Sequence, residues 1–284
     1  HPPPATPDSS TSRGLGDVYK RQHKKLIQGG GAGGGGGDGS SSASAASSAM
    51  ALRARGINTD GAYWITIPNV GTRQIYCLLD SSWDGGGWMM VMKATRGSTF
   101  QWSSSYWTSN NVLNEGNFNT NNGDAKFETF NQNAGTDLMA VWPDLTANRG
   151  CFNSSRGTIW LQNNFNGGSD TILREFFSAD QEIFIQDARN WCGVAGFSQQ
   201  SDVRFYGFGY RAAGNLGTRT RWGFGWNENG GGLWPNANET SNDVAGGIGM
   251  VHRNGSNYSA GDYIGCCQNV SGFNRTARVE MYIR

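Results

Sequence analysis

Residues 57–284 read as one α+β, mainly β domain with a small antiparallel sheet, few short helices and long ordered loops. Three observations carry that reading. The first is composition: 11 Trp, 14 Phe and 43 Gly stand beside little Leu, Glu or Lys. Aromatics favour strands, Gly and Asn favour turns, and Leu, Glu and Lys favour helices. The second is a hairpin pattern near the start of the domain. The third is the segment Arg278–Arg284, where Val279, Met281 and Ile283 alternate with Arg278, Glu280 and Tyr282 at strand period.

Residues 1–28 read as a Pro/Ser/Thr-rich basic tail; Ser12–Gln22 resembles translated adapter sequence and contributes nothing to a fold. Residues 29–56 read as a Gly/Ser-rich linker or, alternatively, a packed polyglycine fibre element. Ala46–Arg55 within it could form a short helix. Asp60-Gly61 makes a turn, Ala62–Ile67 a strand, and Arg73–Leu79 the second strand of the hairpin. Asp84-Gly85-Gly86-Gly87 turns again into the apolar run Trp88–Lys93. Later strands are expected at 183–186, 203–210 and 222–226, and a helix at 171–178. Trp222 and Trp226 are read as sharing a face, with Phe224 opposite, so that one set is buried.

Charge excludes two partner classes. Residues 1–56 hold seven Lys/Arg and three Asp/Glu, leaving sixteen and nineteen in 57–284, a balance of −3. Such a domain has no electrostatic footprint for nucleic acid or an anionic membrane surface. No apolar stretch reaches the length that spans a bilayer, so no membrane insertion is expected. Five cysteines, Cys77, Cys151, Cys192, Cys266 and Cys267, leave one over if the rest pair, and the redox compartment stays open.

The run Gly61-Ala62-Tyr63-Trp64-Ile65, then Ile75-Tyr76-Cys77, then Asp84-Gly85-Gly86-Gly87-Trp88 resembles the opening of fibrinogen C-terminal domains. Toward the other end, Gly246-Gly247-Ile248-Gly249 is similar to the Gly-rich turn of the intelectin branch, and Arg278–Arg284 to its closing strand. The Gly/Ser-rich leader, the Gly-Gly-Gly-Trp turn and residues 222–249 together resemble uncharacterised proteins of marine tailed phages. These resemblances imply a fibrinogen-like fold, a location on a virion surface or otherwise extracellular, and a role in fibres or attachment. Partners through the Gly-rich part would be further copies of the chain or virion neighbours.

Site chemistry concentrates in the last third. Residues 57–284 contain a single histidine, His252, without a nucleophile motif near it, so no enzyme is expected. A carboxylate pair for glycoside hydrolysis, Glu228 with Asp243 or Asp262, is the minority reading. Calcium needs six to eight oxygens, and Asn227, Glu228, Asn229, Asp243 and Asp262 could supply them around flexible glycines. A surface glycan needs flat apolar faces beside polar groups that read hydroxyls. Trp226, Trp234, Asn242, His252, Tyr258 and Tyr263 are the candidates. The intelectin resemblance implies a calcium-held diol. Asn242 keeps the amide before the Gly-rich turn, but Arg253 or Asn254 stands where an acid is implied, and no histidine precedes the turn. The expectation is an attachment protein binding glycans, with calcium as the expected cofactor. The alternative is a purely structural virion subunit with no ligand.

Overall fold

The computed structural model describes residues 36–144, 153–154, 157–186, 205–211, 217–226, 244–252, 257–265 and 278–284. The compact unit runs from Gly37 to Arg284 and so starts ahead of the expected boundary at 57. The second half of the expected linker is packed. Ala46 accepts from and donates to the strand beside it, forming a parallel bridge with Ile65. Helix α1, Ala49–Ala54, follows, capped by the Ser48 side chain on the Ala51 N–H. It ends at Gly56 in the left-handed region, with Gly56 N–H on Arg53 O and Ile57 N–H on Leu52 O. This paired termination satisfies the orphan carbonyls of so short a helix. Ala46, Ala49 and Leu52 are fully buried. The tail and the polyglycine run through residue 35 lie outside the described residues.

The hairpin forms as expected: β1, Gly61–Ile67, pairs antiparallel with β2, Gly71–Leu78. The three glycines that follow are required by geometry. Gly85, Gly86 and Gly87 have φ of +88°, +75° and +88°. A Cβ on Gly86 would stand 2.5 Å from Leu79 O, and one on Gly87 would meet the Met50 sulfur of α1. The turn delivers Trp88 into the core at the head of β3, Trp88–Ala94, which is buried throughout. Trp88 donates its indole N–H to Trp83 O, and the Arg284 guanidinium lies 4.1 Å over its ring. Arg284 also donates to Asp84, Gly86 and Asp137, tying the glycine turn to the far end of the sequence.

Further along come β4, Ala125–Lys126, helix α2, Glu128–Gln132, β5, Ala134–Gly135, and β6, Leu138–Trp142. After them lie β7, Asn153–Ser154, β8, Gly157–Gln162, β9, Thr171–Ile172, and helix α3, Leu173–Ser178. The last group is β10, Ile183–Gln186, β11, Phe205–Arg211, β12, Arg219–Trp226, β13, Val244–Val251, β14, Asn257–Gly265, and β15, Val279–Ile283. Among the described residues the protein is mainly β with three short α-helices. It carries more sheet than one small sheet: the first has the order β1-β2-β3-β15-β6-β8-β7 with β4 on β3, the second β10-β11-β12-β13-β14. Strands β5 and β9 pair separately. The strand pairings are antiparallel. Strand β15 lies between β3 and β6, so all of Val279–Ile283 is buried, not one alternating face.

Aromatic rings bind the two large sheets together. Trp160 of β8 contacts Tyr206, Trp222 and Phe224 of the second sheet, with centroids at 6.2, 5.8 and 5.2 Å. Phe224 therefore shares the inward face with Trp222, correcting the expected opposition: residues two apart on a strand point the same way. The Gly-rich segment Gly246–Gly249 is also corrected. It is the middle of β13, paired to β12 on one side and β14 on the other. Its glycines make room for neighbours: a Cβ on Gly249 would lie 2.8 Å from the Trp107 ring.

Candidate functional site

Strand geometry separates Trp226 from His252 and Tyr258, three of the residues expected to share a site. Trp226, Val244 and Gly265 mark one end of the β12–β13–β14 ladder; Arg219, Val251 and Asn257 mark the other. His252 follows β13 directly at the second end, and Tyr258 lies beside it on β14. At ~3.3 Å per residue, the two ends of β13 are about 23 Å apart. Trp226 and the start of β13 thus stand a strand's length from His252 and Tyr258. Asp262 and Tyr263 are residues of strand β14. His252 is only 2% exposed. Tyr258 is half-buried under the Arg96 guanidinium, 4.1 Å from its ring. Asn227, Glu228, Asn229, Trp234, Asn242 and Asp243 lie outside the described residues. Among the described residues no three His, Cys, Asp or Glu side chains converge on a point where a metal could sit.

The structure instead forms a cleft of about 390 Å³ at the C-terminal end of α3. The turn before β9 supplies Asn166, Ser169 and Asp170, and β9 itself supplies Thr171. The helix supplies Glu175, Phe176 and Phe177. The turn after it supplies Ala179, Asp180 and Gln181, and the start of β10 supplies Ile183. The sheet behind supplies Phe208, Gly209 and Arg221. Helix α3 forms here because an apolar stripe, Leu173, Phe176 and Phe177, meets rings already in place. Phe177 stacks on Phe130 of α2 at 6.0 Å and sits edge-on to Trp107 at 4.8 Å. Phe176 stands edge-on to Phe208 of β11 and to Phe165, each at 5.0 Å. Of these rings, Phe176, Phe177 and Phe208 make the apolar wall of the cleft.

The polar side is held by a network. Asn166 donates to the Thr171 hydroxyl at 2.9 Å, which donates to Ser169 O at 2.9 Å. Arg221 donates through Nε and Nη2 to Trp102 O at 2.9 and 2.8 Å, and through Nη1 to Phe177 O at 3.3 Å. Its third partner is the Asp180 carboxylate at 3.5 Å. Asp180 also pairs with Arg211, and its backbone carbonyl accepts from the same guanidinium. Asp180 stands at φ +50°, the left-handed region that Asp and Asn tolerate better than other non-glycine residues. Gly209 at φ +67° lets β11 pass the same turn, since a Cβ there would collide with Gln181 O. Burial pushes the Arg221 pKa down to about 10; Asp180 opposes the shift while Arg211 and Arg219 add to it. Arg221 stays charged at neutral pH. Burial also raises the Glu182 carboxyl, against the Arg211 N–H and guanidinium that favour its ionised form.

Asp170, Glu175 and Gln181 are exposed at the lip. The arrangement can hold a small polar molecule with one apolar face: rings on one side, amide, hydroxyl and carboxylate groups on the other. Sequence reasoning missed these residues because none belongs to a motif. The one available signal was Arg219 and Arg221, two basic residues at strand spacing just before Trp222. No protein-family model matches the chain, and no curated protein matches it. No helix among the described residues is long and apolar enough to cross a membrane.

Proposed function

We propose that the chain is a non-catalytic glycan-binding module, used for attachment, and that the α3 cleft takes the saccharide. The observation that carries this reading is the pairing of an aromatic wall, Phe176 and Phe208, with a hydroxyl-reading rim of Asn166, Ser169, Asp170, Thr171 and Gln181. A pyranose presents those two kinds of surface: a C–H face and a ring of paired hydroxyls. The expected fibrinogen-like relationship and the virion setting belong to the same proposal and rest on the sequence resemblance. Calcium, held by Asn227, Glu228, Asn229, Asp243 and Asp262, is a separable part of it.

The test is a glycan array probed with the full chain and with Asp170→Ala and Phe176→Ala. Asp170 is exposed, so its removal leaves the melting temperature unchanged. Loss of the hydrogen bond that a sugar hydroxyl donates to a carboxylate costs about 1.5–3 kcal/mol, so retention falls about tenfold or more. Chelation lowers both melting temperature and retention if calcium is bound, by mass action; a chelator that changes neither removes calcium from the proposal. Retention of no glycan by the unaltered chain overturns the reading in favour of a structural subunit.

A further inference from the structure

We propose that the arginines gathered on Trp102, beside the cleft, bind an oxyanion carried by the saccharide: a carboxylate or a sulfate ester. This rests on the glycan reading of the cleft and adds the charge class of its ligand. Arg211 of β11 and Arg219 of β12 are direct cross-strand partners, and Arg221 lies two residues further along the same face. All three guanidinium groups stand on one indole. The Cζ of Arg221 is 4.3 Å from the Trp102 ring centroid, and those of Arg211 and Arg219 are each 5.7 Å from it. Trp102 is 6% exposed beneath them.

Like charges directly opposite on paired strands destabilise a sheet, and here a third is added. The three are not equivalent. Arg221 is fully engaged with Trp102 O, Phe177 O and Asp180. Arg211 is held by the Asp180 carboxylate and carbonyl. Arg219 is exposed and, among the described residues, makes only its contact with the ring. Asp180 bridges the inner pair with Glu182 beside Arg211, which sets two acids against three arginines and leaves the outer guanidinium uncompensated on a fixed platform. An oxyanion bridging Arg219 and Arg211 would relieve the repulsion and accept the planar fork that suits carboxylate and sulfate. Asp180 and Arg221 line the cleft while Arg211 pairs with Asp180. An acidic substituent here would thus belong to a sugar whose ring lies against Phe176 and Phe208.

The experiment measures binding of the full chain to polygalacturonate, to a sulfated galactan and to the same galactan after desulfation, with inorganic sulfate as a competitor. Arg219→Lys, Arg219→Ala and Arg219→Glu are compared with the unaltered chain. The acidic polymers are expected to bind about tenfold tighter than the neutral one. Added salt should narrow the gap. Arg219→Lys should keep part of the preference, Arg219→Ala should lose it, and Arg219→Glu should reverse it, with neutral binding and melting temperature unchanged. Equal binding of acidic and neutral polymers, indifferent to Arg219, overturns the anion site and leaves the glycan reading standing. Full competition by inorganic sulfate at equal anion concentration overturns the saccharide as the source. Binding of no polymer overturns both.

Discussion

Lys93 and Lys126 are the lysines of residues 57–284, and both are out of water, at 1% and 0% exposure. Lys93 Nζ donates to oxygens of Asn119 and Asn121, the shortest contact 2.7 Å. Lys126 Nζ donates to Ser109 O at 2.8 Å and lies 4.7 Å over the Phe130 ring. Burial lowers their pKa values to about 8 and about 7, opposed in part by Glu280 and Glu128. In the unfolded chain they return to the ordinary lysine value near 10.5. Above pH 7 the unfolded state therefore binds more protons than the folded state, and stability rises with pH. The rise is opposed above pH 9.0, where Cys77 ionises in the unfolded chain while burial keeps it protonated in the fold. Urea unfolding between pH 7 and 9 should show stability increasing, and Lys126→Met should flatten the curve. A level or falling profile for the unaltered chain would remove the argument.

At the scale of elements, the glycine turn before β3 and the glycine at the start of β2 offer a paired test. Gly71 has φ +93° and open space, nothing within 4 Å, where a Cβ would stand; Gly86 at +75° would place a Cβ 2.5 Å from Leu79 O. Gly71→Ala should cost about 1–2 kcal/mol, the left-handed penalty alone. Gly86→Ala should cost clearly more, because backbone must move. Equal losses in denaturant melts would show that the close approach at Gly86 is relieved without strain. The hairpin and this turn were legible in the sequence because their signals are local: turn residues flanking apolar runs. Strand β13 was not, because the Gly-rich centre of Val244–Val251 reads as a turn. Its glycines answer to Trp222 O and the Trp107 ring, neighbours that only the folded chain brings near. The packing of 37–56 escaped for a similar reason: Ala46, Ala49 and Leu52 are too few to announce a core, yet all three join it. The cleft was invisible because its residues come from four separate stretches between 166 and 221.

At the scale of the molecule, Trp160 is where the two large sheets meet, with Trp142 tilted against it at 4.7 Å. Trp160→Ala should cost about 3–5 kcal/mol, and the loss should appear equally in probes of both sheets. A loss below about 1 kcal/mol, read from denaturant melts, would mean that other contacts join them.

The position of β15 has a consequence in time. Its partners β3 and β6 lie far back in the sequence, at 88–94 and 138–142, so the first sheet is completed only by a contact between distant segments. Closing so large a loop comes before any reward from the pairing, which makes such topologies slow to fold. Until residues 279–283 arrive, β3 and β6 each present a bare edge of buried-type side chains, the kind of surface on which chains pair with one another. Yield on refolding should therefore fall steeply with protein concentration, and insertion of this single five-residue strand is the step expected to limit the rate.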